Sequence, residues 1–174
     1  MINDLRGRVR QTGQFLGAWV RPVSTAQAAP YLSEQEMALF VQMRRPEQQH
    51  HLRVLNDLLC NGYTHPALLK AALLHDVGKT RYPFGLGARV MVVLVKKFWP
   101  ARFATWSQGS PQGWRRPFVV SAQHPAWSAE MARAAGSDGL TQELIARHQE
   151  KHSSTSDAEF AGLLSVLQAA DDRS

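Results

Sequence analysis

The chain has a single cysteine, Cys60, among its 174 residues. One cysteine excludes an intrachain disulfide and a cysteine-rich zinc site, and it favours a reducing compartment, so we expect a cytoplasmic protein. Long apolar runs are also missing, because the longest aliphatic run, Val90–Val95, is far shorter than the roughly 20 residues of a membrane-spanning helix. The apolar stretch Phe15–Val20 is short and contains Gly17, so it does not predict a targeting signal.

Acidic residues are missing from the middle of the chain, between Asp76 and Glu130. The same stretch carries eight of the 20 basic residues, namely Lys79, Arg81, Arg89, Lys96, Lys97, Arg102, Arg115 and Arg116. The whole chain has a formal charge of +6, whereas the remainder outside this stretch, with 12 basic and 14 acidic residues, is slightly acidic. This concentration of charge predicts an anionic partner, which could be a phosphate compound, a nucleic acid or a membrane surface.

Alternating strand patterns are nearly absent, and helix-start signals recur along the chain. With 44% hydrophobic and 20% charged residues, the composition is typical of one soluble globular domain. The sequence therefore predicts an all-α fold, a single-domain helical bundle. We divide it into an N-terminal helical segment over 1–45 that packs on the core and a helical domain over 46–174, with a basic, tryptophan-rich insert at about 80–121.

Capping signals and apolar periodicity predict where the helices lie. Ser33 with Glu36 forms a capping box, which predicts a helix over 34–43. A helix over 67–76, with Gly78 as its stop, is apolar on almost every side and should be the buried centre of the fold. The other helices are expected over 46–59, 88–99, 125–135 and 141–149, and from Asp157 to the C-terminus, with a loop between the insert helix and residue 125.

The peptide from Leu73 to Lys79 carries the strongest chemical signal. His75 and Asp76 stand together at the end of the apolar helix, so a packed helix would direct an imidazole and a carboxylate to one point. A buried pair of this kind is costly to desolvate without a cation. The alternative is a plain capping pair followed by a Gly-Lys helix stop.

Three further residues fall on helical positions where a polar side chain is unexpected. Asp171 continues the apolar stripe of the last helix, whereas Asp172 lies on a more polar face. His148 continues an apolar stripe, and His124 precedes Pro125 at an expected helix start. Each histidine alone is more often a satisfied core or capping residue than a ligand, but their conjunction with the His-Asp pair predicts a metal site.

These motifs resemble the HD superfamily of metal-dependent phosphohydrolases over residues 50–174. Gln49–Val54 matches the opening histidine, Ala71–Lys79 contains the His-Asp-x-Gly-Lys signature, and Gln168–Asp171 matches the closing aspartate. The resemblance implies a helical bundle of the HD type. It selects His50 as the first ligand, because the family's histidine stands four residues before a valine. Helical geometry favours His51, which is nearer the centre of the apolar face, so His51 remains the alternative.

The resemblance also implies a ligand set and a cofactor. One divalent ion would be held by His50, His75, Asp76 and Asp171. Subgroups with two more histidines, the HD-type dinucleoside tetraphosphatases and the HD-GYP-like phosphodiesterases, hold two ions bridged by the signature aspartate, and the matching positions here are His124 and His148. An oxygen and nitrogen ligand set favours iron, manganese or zinc, with magnesium as a further candidate. No complete GYP motif follows, and the insert matches neither subgroup.

The implied activity is hydrolysis of a phosphoester or phosphoanhydride by a metal-activated hydroxide. Asp76 would be the bridging ligand, and Lys79 would neutralise the charge that develops on the phosphoryl oxygens. The substrate would be a small, nucleotide-like anion, and the candidates for binding the rest of it are Arg81, Arg115 and Arg116.

Two alternatives to a phosphohydrolase remain open at this stage. A few HD-type proteins are di-iron oxygenases that use the same histidine and aspartate ligands. The metal could instead be structural, in a regulatory or binding module whose insert meets an anionic membrane surface or single-stranded nucleic acid. The tryptophans of the insert have a simpler interpretation, which is that they pack the insert onto the bundle.

Overall fold

The computed structural model describes residues 24–150 and 157–174, and over these residues the chain is helical without a strand. The prediction of an all-α fold is confirmed. The eight α-helices of this part of the chain are α1 (Glu34–Gln42), α2 (Arg45–Cys60), α3 (Pro66–Leu74), α4 (Leu86–Phe98), α5 (Pro100–Trp106), α6 (Arg116–Ala134), α7 (Gly139–Arg147) and α8 (Ala158–Arg173).

Short 3-10 helices connect some of these elements, at Thr25–Gln27, Val77–Arg81 and Gly113–Arg115. The stretch Phe15–Val20 and the rest of residues 1–23 of the expected N-terminal segment lie outside the described residues. Among the described helices, none combines the length and the apolar character that crossing a bilayer requires.

Helix α3 lies at the centre of the bundle and packs against α1, α2, α7 and α8. All of its alanines and leucines are buried, and Pro66 occupies its first turn, where a missing N–H does no harm. Each buried leucine contributes about 1.5–3 kcal/mol of hydrophobic free energy, so α3 is a fixed platform. It ends at Leu74, two residues before the expected end, so that His75 and Asp76 form the turn into the second 3-10 helix.

A buried carboxylate attaches α1 to this platform. The capping box at the start of α1 forms as predicted, with Ser33 N–H donating to Glu36 Oε2 at 2.8 Å and Glu36 N–H donating to Ser33 Oγ at 3.2 Å. Glu36 Oε1 also accepts from Ser137 Oγ at 2.7 Å and pairs with Lys70 Nζ at 3.2 Å. Burial raises the pKa of Glu36, but these donors outweigh it and hold the pKa below its usual value.

The basic insert contains two helices where the sequence predicts one. Helix α4 matches the expected insert helix, but α5 occupies part of the expected loop. Val92, Val95 and Phe118 form a small core between α4 and α6, with Phe103 and Trp106 packed against it. Helix α5 forms because it begins with a proline at its first position and partly buries these two aromatic rings against that core.

Helix α6 begins at Arg116, nine residues before the expected start, and this prediction is wrong. Pro125 lies inside the helix, and His124 is therefore a mid-helix residue rather than a helix-start residue. A proline at this position removes one backbone hydrogen bond at a cost of about 3 kcal/mol. Burial of Phe118, Val119 and Val120 on the preceding turn compensates for that loss and keeps the helix continuous.

Gly78 allows the second 3-10 helix to touch α6, a role different from the expected helix stop. Its φ angle is not positive, in contrast with Gly62 and Gly136, whose φ angles of 79° and 84° end α2 and α6. A Cβ atom on Gly78 would lie 2.5 Å from the His124 carbonyl oxygen and 2.7 Å from Ser128 N. Gly78 N–H donates to Ser128 Oγ at 2.8 Å, so the contact is both close and hydrogen-bonded.

Replacing Gly78 with alanine should destabilise the protein by about 1–3 kcal/mol, because the methyl group would push α6 away from the 3-10 helix. The matched control is Gly162→Ala in α8, where an added Cβ meets nothing within 4 Å. That control should be neutral or stabilising by up to about 1 kcal/mol, since alanine is the better helix former. Urea denaturation followed by circular dichroism measures both changes, and equal stability of the two variants would contradict the close contact.

Candidate metal centre

Five histidines and two aspartates converge at one point of the bundle, and we call this group the cage. His50 and His51 come from α2, His75 and Asp76 from the turn after α3, His124 from α6, His148 from the C-terminal cap of α7 and Asp171 from the last turn of α8. Within the cage, two sets of side chains are close enough to hold a metal ion: His50, His51, His75 and Asp76, and a second set of Asp76, His124 and His148.

Asp76 is the one residue common to the two sets, and each of its carboxylate oxygens faces a different set. Oδ1 lies 3.0 Å from His124 Nε2 and 3.7 Å from His148 Nε2. Oδ2 lies 4.0 Å from His51 Nε2 and 3.9 Å from His75 Nε2. A carboxylate in this position has the geometry of a bridge between two adjacent cation sites.

In three cage histidines Nε2 faces the cage, and Nδ1 lies beside a backbone carbonyl oxygen three or four residues earlier in the chain. Nδ1 lies 3.2 Å from the Ala72 oxygen in His75, 2.9 Å from the Val120 oxygen in His124 and 2.7 Å from the Ile145 oxygen in His148. A carbonyl oxygen only accepts, so Nδ1 must carry the proton. In a neutral ring Nε2 is then unprotonated and carries a lone pair. The Nε2 atoms of all three histidines face carboxylate oxygens.

Several of these inward-facing atoms are buried and have no hydrogen-bond partner: His51 Nε2, His75 Nε2, His148 Nε2 and Asp76 Oδ1. Lone pairs of imidazoles and a carboxylate repel one another at these distances unless a proton or a cation lies between them. Because the three Nδ1 protons are held by carbonyls, the arrangement is the one that metal-bound histidines adopt in proteins. The buried His/Asp group therefore fits a metal ion by the chemistry of its donors.

The ionisation of the cage follows from its burial and mutual contacts. Burial raises the pKa of Asp76, but Lys79, His75 and His124 hold that pKa well below its usual value. Burial, with the nearby charges of His75 and His124 adding to it, lowers the pKa of His148 to about 3. The pKa of His51 is also lowered well below its usual value, chiefly by burial. Burial lowers the pKa of His75, but the carboxylates of Asp76 and Asp171 outweigh it and hold that pKa above its usual value. The pKa shifts thus favour an ionised Asp76 and neutral His51 and His148, whereas His75 would exchange a proton for the metal ion on binding it.

Both candidates for the first ligand belong to the cage. His51 is completely buried, with its ring centroid 4.5 Å from that of His75. His50 is partly exposed, and its Nε2 lies 2.8 Å from Asp171 Oδ1. That same oxygen lies 3.6 Å from His75 Nε2, so Asp171 reaches the set formed by α2 and α3. The choice between His50 and His51 remains open, because the structure brings both rings to the same set.

Contacts between helices hold Asp171 and His148 in position. Arg173 pairs with Asp57 of α2 at 2.6 Å, which fixes the last turn of α8 next to His50. The Gln168 amide donates to the carbonyl oxygens of His148 at 3.0 Å and of Glu150 at 2.7 Å. Helix α8 therefore supports two parts of the cage at once, the α2 side through Arg173 and the end of α7 through Gln168.

Of the other predicted site residues, Lys79 contacts the cage, and the three arginines contact residues outside it. Lys79 Nζ pairs directly with Asp76 Oδ2, so it belongs to the site. Arg81 forms an exposed ion pair with Glu130 at 2.9 Å. The Arg115 guanidinium lies over the Trp114 ring, and Arg116 Nε donates to the Pro111 carbonyl oxygen at 3.4 Å. For these three arginines a role in substrate binding stays a prediction.

Two features beside the cage were not predicted from the sequence, because each joins residues that are far apart in the chain. The Gln149 amide donates a long hydrogen bond of 3.4 Å to His124 Nε2. A cavity of about 130 Å³ opens beside Lys79 and is lined by Arg44 and Arg89 among others. No local pattern marks these residues, although the acid-free stretch contains Arg89.

Comparisons of this chain with protein-family models, with curated proteins and with solved structures each find no match. The HD-type assignment therefore stays a prediction, and the evidence for a metal site consists of the cage itself.

Replacing Asp171 with asparagine should lower metal affinity by about tenfold or more, because the cage loses one of its two carboxylate charges. Asp172→Asn is the matched control, since the neighbouring side chain lies on the exposed side of α8. Elemental analysis of both variants, purified in parallel with the unchanged protein, measures the difference. Equal metal loss in the two variants would mean that Asp171 is not part of the ligand set.

Proposed function

We propose that the chain is an HD-type metal-dependent phosphohydrolase that cleaves a phosphoester or phosphoanhydride of a small, nucleotide-like anion. Two observations support the proposal. The order of His50, His75-Asp76 and Asp171 along the chain resembles the HD pattern, and these side chains meet in one cage. The observation that carries it is the Asp76 carboxylate, which is shared between two sets of imidazoles. Such a shared carboxylate is the feature that two-ion phosphohydrolase chemistry needs.

A divalent cation held by the cage would supply Lewis-acid activation of water and of a phosphoryl group. In this proposal the first set, with Asp171, and the second set each hold one ion, and iron, manganese and zinc suit the donors best. The nitrogen-rich ligands keep their orientation through the three Nδ1–carbonyl hydrogen bonds. Little reorganisation is then needed when substrate binds.

Lys79 is the residue we assign to charge stabilisation. Its side chain is about one-quarter exposed, whereas the Asp76 carboxylate that it contacts is nearly buried, so the ammonium group stands between solvent and the cage. An anionic phosphoryl group that approaches the cage from this side meets Lys79 first. The ammonium group would then orient the phosphoryl oxygens and neutralise the negative charge that they gain in the transition state.

The cavity beside Lys79 is our candidate for the rest of the substrate. The Arg89 guanidinium pairs with the buried carboxylate of Glu47 and lies 5.5 Å from the Phe84 ring centroid. The second oxygen of Glu47 accepts the Arg44 backbone N–H at 3.1 Å. Glu47 thereby holds Arg89 in place and offsets its charge, and Lys79 is paired with Asp76. Arg44 therefore leaves the cavity with an excess of positive charge for a second anionic group.

The activity is tested by elemental analysis of the purified protein, followed by a screen with the metal found. The screen covers nucleotides, dinucleoside polyphosphates and a generic phosphodiester. Asp76→Ala should lose both bound metal and all turnover, because it removes the shared ligand, while the circular-dichroism spectrum stays helical. Unchanged metal content in that variant would contradict the site, and unchanged turnover would contradict the mechanism.

The cavity is tested with neighbouring arginines once a substrate is identified. Arg44→Ala should raise KM by about 5- to 20-fold, since one charge-assisted hydrogen bond contributes about 1–2 kcal/mol. Arg45→Ala is the matched control, because Arg45 is exposed and does not line the cavity. Steady-state kinetics separate KM from kcat, and equal KM values for the two variants would remove the cavity from the proposal.

Two outcomes would favour the alternatives. Bound metal without turnover on any phosphate compound would favour a regulatory or binding module. Oxygen consumption and a redox-active iron pair in iron-loaded protein would favour the oxygenase.

A further inference from the structure

Helix α4 exposes an apolar face that nothing in the described chain covers. Of the ten large apolar residues exposed among the described residues, six fall within residues 90–99, with exposed fractions between 37% and 59%. They are Val90, Met91, Val93, Leu94, Phe98 and Trp99. Soluble proteins rarely expose a contiguous apolar surface of this kind unless it binds something.

The exposed face is distinct from the face by which α4 packs on the bundle. Val92 and Val95 are buried against Phe118 of α6. Val90, Leu94 and Phe98 follow one another at intervals of four residues, which aligns them along the opposite side of the helix. Because the small core is packed by other residues, the apolar side chains of this outer face have no packing role among residues 24–150 and 157–174.

Basic residues accompany the apolar face, and acidic residues do not. Lys97 follows Val93 by four residues and therefore lies on the same face, with Nζ 5.6 Å from the Phe98 ring centroid. Arg102 is an exposed residue of α5. The sequence has no Asp or Glu from residue 77 to residue 129. The surface thus combines apolar area with the positive charges of Lys97 and Arg102.

We propose that the outer face of α4 binds an anionic lipid surface. The 13-residue helix would lie in the plane of the membrane, with Val90, Leu94 and Phe98 among the acyl chains. Trp99 and Lys97, at its C-terminal end, would lie at the level of the headgroups, where tryptophan and lysine are favoured. This inference does not depend on the phosphohydrolase proposal, because it uses no cage residue.

Charge and shape favour a lipid surface over other occupants. A second copy of the same face would bring the Lys97 side chains of the two copies together, and neither α4 nor α5 contains an acidic residue to pair with them. Single-stranded nucleic acid binds to aromatic rings on which successive bases stack. On this face the aromatic rings, Phe98 and Trp99, lie only at the C-terminal end, and the rest of the surface is aliphatic. An anionic bilayer satisfies both the aliphatic surface and the positive charge.

Flotation of the full chain with vesicles tests the proposal. The protein should bind vesicles of phosphatidylcholine and phosphatidylglycerol at 3:1 and should bind pure phosphatidylcholine much more weakly. A double variant, Leu94→Glu with Phe98→Glu, should lower the partition coefficient by at least about tenfold, because it removes apolar area and adds charge repulsion. Lys97→Gln should lower it by about fivefold, the effect of one basic residue near an anionic surface.

The matched control is Val41→Glu, which adds the same charge at an exposed apolar residue of α1 and should leave binding within twofold of the unchanged protein. Circular dichroism and thermal melting check that every variant is folded. Absence of vesicle binding by the unchanged protein would overturn the proposal, as would undiminished binding by the double variant. A dimer or an oligonucleotide complex that depends on Leu94 and Phe98, without vesicle binding, would also overturn it and assign the face to that partner.

Discussion

The structure depends on the ionised carboxylate of Asp76, which is buried among imidazole nitrogens. A charge in this position is tolerated only if positive charge surrounds it, and Lys79 is the one cation of the described residues paired with it. The buried Nε2 atoms of His51 and His148 have no hydrogen-bond partner, and burial lowers the pKa values of both rings, so neither ring adds positive charge beside the carboxylate. A cation at the centre of the cage would pair with all of these groups together, and the buried His/Asp group could hold a metal ion.

The helices cooperate to bring these groups together. Helix α3 supplies a rigid apolar base, and the turn at its end carries His75 and Asp76 into the cage. Gly78 then permits backbone contact with α6, and this close approach brings Asp76 Oδ1 to 3.0 Å from His124 Nε2. A side chain at position 78 would separate the two ligand sets, so a residue that carries no functional group is as necessary to the cage as a ligand.

Local signals predicted much of this arrangement. The Ser33 capping box, the apolar character of α3 and the stripe leading to Asp171 are short-range patterns, and each corresponds to an element or a cage residue of the structure. The start of α6 could not be predicted, because tertiary packing overrides the helix-breaking tendency of Pro125. The pairing of Glu47 with Arg89 was equally inaccessible, since it joins residues 42 positions apart that no periodicity connects.

Because the cage contains more imidazoles than carboxylates, its side chains carry little negative charge to offset that of bound cations. Five of its seven side chains are imidazoles, which are neutral as ligands, and the only formal negative charges are those of Asp76 and Asp171. Two divalent ions would therefore leave a loaded cage with a net charge of about +2 by simple counting, before Lys79 is included. In the proposed phosphohydrolase such a centre would attract anions by itself and would also hold a phosphate product, which would make product departure the slow step.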